Sequence, residues 1–451
     1  MTAKLPRETE CSLHIFVLYT LTLFHKTTNK SMKTGLPFLI ILFLFLSCKS
    51  GQQHVGRRVP QLAPLDSLDT ELTNVLHQSI MPGFAVSLIR NNKIVFSKGY
   101  GYADLKNNTP FTGKTINCVA SISKTFIGLS IMQLVDAGKL DLDEPINSIL
   151  PYKVINPFYP ALPITVRHLV THTSTLNQEF DPEDTGDATI FLTEPFEPAG
   201  DASEDFKKAI GYYKLGKKIS LDDHIRNYTQ PSGKWYMTEN FLRHPPGAKF
   251  DYTNLDAVIA ARIVEIKSGM TFEDYTKKYI FEPLHMNQTG WHDTDLNAAL
   301  LTKIYMPDSN SKPSRAIEHP RYEMTDFPVG GLKTSMDDLS KYLIDMMKGY
   351  EGNGQLLRKK SYQILFSPLL PDSCFENRND YPFNDQYSVG VFWAISASGY
   401  RLHNGGSIGV YSFIYFDPES GSGAVSFCNL PVADFGKVRE VVHRYTKKTV
   451  R

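Results

Sequence analysis

The chain has 451 residues, 42% hydrophobic and 21% charged, an ordinary globular composition with length enough for one large core or two subdomains. With 48 Lys and Arg against 47 Asp and Glu, the formal net charge is +1, and no long basic run overrides it, so nucleic acid is excluded as a partner. The five cysteines show no Cys-x-x-Cys spacing, which points away from a zinc site or a dense disulfide framework, and no cofactor is indicated.

The first fifty residues stand apart. An apolar run from Leu13 to Phe24 precedes Met32-Lys33, and a second run from Phe38 to Leu46 has the length of a secretory signal core, too short to span a bilayer comfortably. Leu46-Ser47-Cys48 resembles the lipobox of bacterial lipoproteins, with Phe45 where that pattern usually has leucine. The resemblance implies cleavage before Cys48 and lipidation of its thiol. On this reading residues 1–31 are a mis-called upstream extension, 32–48 a signal peptide and 49–65 a linker. The protein is then lipid-anchored at the bacterial cell envelope, on a periplasmic or extracytoplasmic face. The rival is a transmembrane hairpin or a long anchor.

Leu68 to Ile80 reads as a short helix stopped at Pro82-Gly83. Phe84 to Arg90, Asn91-Asn92 and Lys93 to Tyr102 form a hairpin with strong turn chemistry at its tip. Next comes Cys118-Val-Ala-Ser121-Ile-Ser-Lys124, leading into a helix that is apolar on nearly every face from Phe126 to Val135 and stops at Gly138. A serine in the first helical turn and a lysine three residues on share one face, roughly 5 to 6 Å apart at Cβ. They make a nucleophile with its base: a lysine desolvated in an apolar helix loses enough proton affinity to deprotonate the hydroxyl. Ser309-Asn-Ser-Lys312 has the same spacing but nothing to bury its lysine, and Pro313 biases it away from helix, so it reads as a solvated loop.

Ile164 to Leu176 begins a helix with Thr165 as N-cap, on which His168 and His172 have i, i+4 metal spacing. Leu169 stands where the zincin pattern needs glutamate, so both histidines are read as structural. Residues 177–245 are polar and dotted with aromatics, with a helix near Ser203 to Leu215, and are too long for a plain loop. Tyr252-Thr-Asn254 then precedes an apolar helix from Leu255 to Lys267, and helical signals continue through Phe272 to Tyr279 and Met336 to Met347. The last hundred residues turn to strand at Tyr387 to Ala394, Tyr411 to Phe416 and Ala424 to Asn429, followed by a helix from Phe435 to Lys447. The expected fold is α/β (α+β): one antiparallel sheet built from both termini, flanked by helices, with a mostly helical subdomain inserted between.

Ser121-Ile-Ser-Lys124, Tyr252-Thr-Asn254 and His403-Asn-Gly405-Gly406, in that order, resemble the three elements of the serine β-lactamase-like superfamily, in its class C β-lactamase, DD-peptidase and esterase group. Thr171-His-Thr-Ser174, Pro246-Gly247-x-x-Phe250 and Gly330-Gly331-Leu-x-Thr-Ser335 look like its landmarks too, and the likeness runs through the domain at 66–447. It implies an acyl-enzyme on Ser121, an oxyanion hole from the amides of Ser121 and Gly406, and His403 on the strand lining the site, where relatives carry lysine or histidine. Beside it, the residues argue on their own: Tyr252 near Lys124 can carry protons, and the Asn254 amide can hold both the lysine and a substrate amide. Thr175 departs from the glycine that relatives usually have, which puts that turn in doubt.

Gly405-Gly-Ser407-Ile-Gly409 matches a nucleophile elbow, but an elbow needs a helix after its serine and Val410 to Phe416 reads as strand. A P-loop ending at Gly113-Lys-Thr115 fails because Asn108 occupies its first glycine position. What remains is a serine hydrolase of esters or small D-amino-acid amides, or of a peptidoglycan-like substrate, weak on β-lactams. The alternatives are a true class C β-lactamase or a penicillin sensor that acylates without turning over. The 177–245 segment is expected to border the cleft.

Overall fold

Asn91 and Asn92, both at positive φ, reverse the chain between β1 (Gly83–Arg90) and β2 (Lys93–Asp104), the backbone that a two-residue hairpin turn demands. β2 pairs in turn with β3 (Thr109–Pro110). The structure, a computed structural model, describes residues 61–62, 65–178, 190–193, 195–212, 219–308, 314–376 and 387–449. The leader with Cys48 and the Ser309-to-Lys312 copy lie outside them.

Five strands from the other end of the chain complete the sheet: β4 (Tyr387–Val389), β5 (Ala394–Ser396), β6 (Arg401–Ser407), β7 (Val410–Asp417) and β8 (Ser422–Cys428). The order is β4-β5-β6-β7-β8-β1-β2-β3, each neighbour antiparallel, so β8 meets β1 and joins the two ends of the domain. The Tyr387-to-Ala394 stretch, expected as one strand, splits into two that pair with each other.

The principal helices are α1 (Leu68–His77), α2 (Ser123–Asp136), α3 (Asn254–Ser268), α4 (Met336–Glu351) and α5 (Phe435–Thr446). Strand alternation decides which helices cover which face. Phe84, Val86 and Leu88 of β1, with Phe413 and Tyr415 of β7, join the cluster of α1 and α5. Ala85, Ile89, Ile414 and Phe416 face the larger core of α2, α3 and α4. With both faces covered, β8 is buried at every position.

α2 and α3 are buried on nearly all sides, as an apolar run without a polar face requires. Thr253 caps α3 by accepting from the Leu255 N–H, and Gly269 ends it in the left-handed region at φ 72°. The helix capped by Thr165 is shorter than expected, Val166–Val170, so His172 lies beyond it. Ring nitrogen Nδ1 of His168 instead accepts from the Thr165 N–H at 3.2 Å, closing a capping box. The helical metal spacing of the two histidines is therefore not realised.

Within 177–245 the described residues contain the helices Glu204–Tyr212 and Leu221–Thr229 and a strand Ile190–Leu192 that pairs with Tyr322–Met324. Short strands Ile116–Cys118 and Thr289–Gly290 flank Lys333–Ser335.

Candidate active site

Ser121 stands in a single 3-10 turn, Ala120–Ile122, directly ahead of α2 rather than in its first α-helical turn. Ala120 adopts φ 46°, an uncommon conformation for a residue with a Cβ and one that clusters at functional sites. The bend comes from tertiary packing: Gly405 of β6 sits against Val119 and Ala120, and a Cβ there would overlap the Val119 carbonyl.

Lys124 follows one turn later and is fully buried. Its Nζ lies 3.1 Å from Ser121 Oγ and donates to the Val329 carbonyl at 2.8 Å. Burial lowers its pKa to about 7, against an opposing pull from Asp326. Neutral amine is therefore available at physiological pH, and it is already within reach of the hydroxyl proton.

Tyr252, just before α3, interacts with the Ser121 side chain, and Lys124 Nζ lies 5.2 Å from its ring centroid. Burial raises the phenol pKa, although the residue is 49% exposed, so the desolvation is partial and the push smaller than full enclosure would give. The phenol is protonated at neutral pH. It can relay a proton between serine and lysine without carrying charge at rest.

Asn254 opens α3 beside these groups, but its side chain makes no hydrogen bond to Lys124. The lysine is held by the Val329 carbonyl instead, which frees the Asn254 amide. Val329 was not legible as a site residue because its contribution is a backbone oxygen. The only signal was its place next to Gly330-Gly331. That landmark works through backbone: Leu332 O accepts from the Val119 N–H at 2.9 Å, and Lys333–Ser335 pairs with Ile116–Cys118, fixing the approach to Ser121.

His403, on β6, is buried, and its Nδ1 donates to the Asn404 carbonyl at 2.7 Å, which leaves Nε2 as the acceptor. Burial, reinforced by the nearby charge of Lys124, pushes its pKa down to about 4. A surface-like histidine would be charged about a quarter of the time at pH 7. This one is neutral.

Counting from the Ser407–Val410 pair that closes the β6–β7 turn, the Gly406–Tyr411 pair does not exchange ladder hydrogen bonds. The Gly406 N–H therefore points off β6 on the side away from β7, where β5 reaches only as far as Leu402. Among the described residues no acceptor takes the Ser121 N–H. Two free amides on facing segments are what an oxyanion hole requires. Ser407 is no elbow: two turn residues separate it from β7, and its Oγ lies 2.8 Å from the Tyr322 hydroxyl.

His172 packs against the site. It sits at φ 53°, buried, with its ring 4.5 Å from that of Tyr252 and its Nδ1 3.3 Å from Asp256 Oδ2. Burial first, and then the charge of Lys124, holds its pKa well below the usual range. Asp256 is also buried, which raises its carboxyl pKa well above the usual range, and it accepts from the Ser174 hydroxyl. Together they form a buried pair beside Tyr252. Thr175, at φ 77°, takes a glycine-like conformation and receives the Asn156 amide at 2.8 Å, which settles the turn that its side chain put in doubt. Among the described residues no three His, Cys, Asp or Glu side chains converge to hold a metal.

Residues 68–446 match the family model described as Beta-lactamase, and the chain belongs to that family, the β-lactamase-like serine hydrolases. Protein flp of Staphylococcus aureus (strain COL) is 22% identical over 363 residues, covering 80% of this chain and 62% of the relative's own length. Among solved structures, the octameric penicillin-binding protein homologue from Pyrococcus abyssi superposes with a TM-score of 0.61 at 24% identity, covering 81% of this chain and 74% of that one. The D-amino acid amidase from Ochrobactrum anthropi SV3, complexed with L-phenylalanine amide, gives 0.61 at 21% identity, covering 84% and 96%. At these identities the structural likenesses establish the fold.

Proposed function

We propose that the protein hydrolyses neutral esters or small D-amino-acid amides through an acyl-enzyme on Ser121, with at most feeble activity on β-lactams. The observation that carries this reading is the fully buried Lys124 amine, 3.1 Å from Ser121 Oγ. Lys124, with Tyr252 as relay, accepts the Ser121 proton as Oγ attacks the substrate carbonyl carbon. The carbonyl oxygen takes up negative charge between the amides of Ser121 and Gly406. The C–O or C–N bond then breaks, and the leaving group departs with the proton held by Lys124 and Tyr252. Water enters by the reverse sequence, and the acid is released. The Asn254 amide is free to bind a substrate amide.

Substrate choice follows from His403. A substrate carboxylate beside a neutral imidazole forgoes a charge-assisted hydrogen bond, a loss of roughly 1.5 to 3 kcal/mol or about ten- to a hundred-and-fifty-fold. Neutral esters and amides lose nothing, and the amidase with the same fold, crystallised with an amino-acid amide, is consistent with that choice.

Steady-state turnover of a p-nitrophenyl ester and of a D-amino-acid p-nitroanilide by the purified protein tests the reading. A single stoichiometric burst without turnover would favour the penicillin-sensor alternative instead. We also propose lipid anchoring at Cys48 in the bacterial envelope. The mass of the mature N-terminal peptide tests it, and an N-terminus upstream of Met32 would refute it.

A further inference from the structure

Asp326 immediately precedes the turn Phe327–Val329, whose last carbonyl binds Lys124 Nζ. Its side chain is 5% exposed and does not cap that turn, and no protein group among the described residues bonds to its Oδ1. His224, on the helix Leu221–Thr229, is fully buried with both ring nitrogens equally without protein partners. Its ring lies 5.3 Å from Tyr228 and 5.6 Å from Trp235, whose indole N–H is buried and also lacks an acceptor. Buried polar groups of this kind cost stability unless something uses them. Asp326 acts electrostatically on both buried bases, raising the pKa of Lys124 and of His224 against the effect of burial.

We propose that Asp326 is a positioning residue of the hydrolase, its carboxylate supplying the counter-charge for the ammonium that forms on Lys124 when Ser121 gives up its proton. The inference rests on Lys124 being the base. The other groups around the amine cannot do this. Tyr252, His172 and His403 are neutral at physiological pH, and the Asp256 carboxyl on α3, whose proton affinity burial raises, is taken up by the Ser174 hydroxyl and lies beside His172. Without Asp326 the lysine would meet desolvation alone and would be a weaker base.

The test is the pH dependence of Ser121 phosphonylation by a fluorophosphonate in the purified full chain, comparing the parent with Asp326→Asn. The variant is isosteric and breaks no protein hydrogen bond, so its melting temperature should stay close to the parent's. The acid limb should move to lower pH, because Lys124 loses its proton more readily, while the plateau rate falls, because the free amine is a weaker base. The two profiles then differ in shape as well as height. A limb that stays in place, whatever happens to the plateau, overturns the proposal and reduces Asp326 to a structural group. If Asp326→Asn fails to fold, Asp326→Ser is read by the same criterion. Lys124→Ala separates this inference from the one beneath it: labelling that survives that change would refute the base assignment, whereas its loss alongside an unmoved Asp326→Asn limb refutes only the role of Asp326.

Discussion

Gly405 in β6 and Val119, two residues before Ser121, are packed so closely that even a methyl group at position 405 would overlap the Val119 carbonyl. The contact sets the distance between the nucleophile turn and the strand that offers the Gly406 amide. Gly405→Ala must push the two apart. A displacement near 1 Å costs about a hundredfold in rate when positions are set for catalysis. The variant is expected to stay folded by circular dichroism and to lose acylation by about that factor, as stopped-flow labelling would measure.

Burying Lys124 favours function at the expense of stability. Its folded pKa, about 7, lies below its ordinary value of 10.5, so between those values the unfolded chain binds the proton and the native one does not. Stability therefore falls as pH drops from about 10.5 to about 7, by roughly 3 to 5 kcal/mol from this group, and changes no further below that. Lys124→Met removes this cost but leaves the Val329 carbonyl without its donor, worth about 1 to 3 kcal/mol. The variant should be inactive and melt higher than the parent at pH 7, with the advantage shrinking as pH approaches 10. Thermal melts across that range check the sign.

A neutral His403 makes the substrate preference insensitive to pH over the working range. With its pKa near 4, the ratio of kcat/KM for a p-nitrophenyl ester to that for a chromogenic cephalosporin should stay flat between pH 6 and 8. A ratio that falls as pH passes below 6.5 would show an ordinary, accessible histidine instead.

The parts legible in the sequence were those written in side-chain pattern. The Asn91-Asn92 turn, the all-round apolar α2 and the apolar α3 all read directly from residue order. So did the pairing of Ser121 with Lys124, because three residues of helix or 3-10 turn place them alike. What escaped was set by contacts between distant segments. The left-handed Ala120 depends on Gly405, nearly three hundred residues away, so Ser121 looked α-helical. The end of the helix at Val170 left His172 off the expected face, under Tyr252 instead. The proton affinity of His403 depends on how deeply β6 is covered, and the grip on Lys124 belongs to a backbone carbonyl that no side-chain motif announces.

Among the described residues, one route by which the 177–245 segment reaches the neighbourhood of Ser121 is a strand pair. Ile190–Leu192 holds Tyr322–Met324, and the Met324 side chain packs where a Gly330 Cβ would lie, close to Ala120. Met324→Ala should therefore alter the relative rates of short-chain and branched p-nitrophenyl esters by several-fold, since one or two methylenes in an apolar pocket are worth about 1 to 3 kcal/mol. Equal effects on all esters would place Met324 outside the substrate's reach.

The central claim is that Ser121 is the nucleophile and Lys124 its base, and site-resolved mass after brief exposure to a fluorophosphonate tests it most directly. Intact mass should show one adduct per chain, tandem spectra should place it on Ser121, and Ser121→Ala and Lys124→Ala should each abolish it while melting as folded proteins. An adduct that persists in Ser121→Ala, or that maps to Ser407 beside Gly406, would contradict the account.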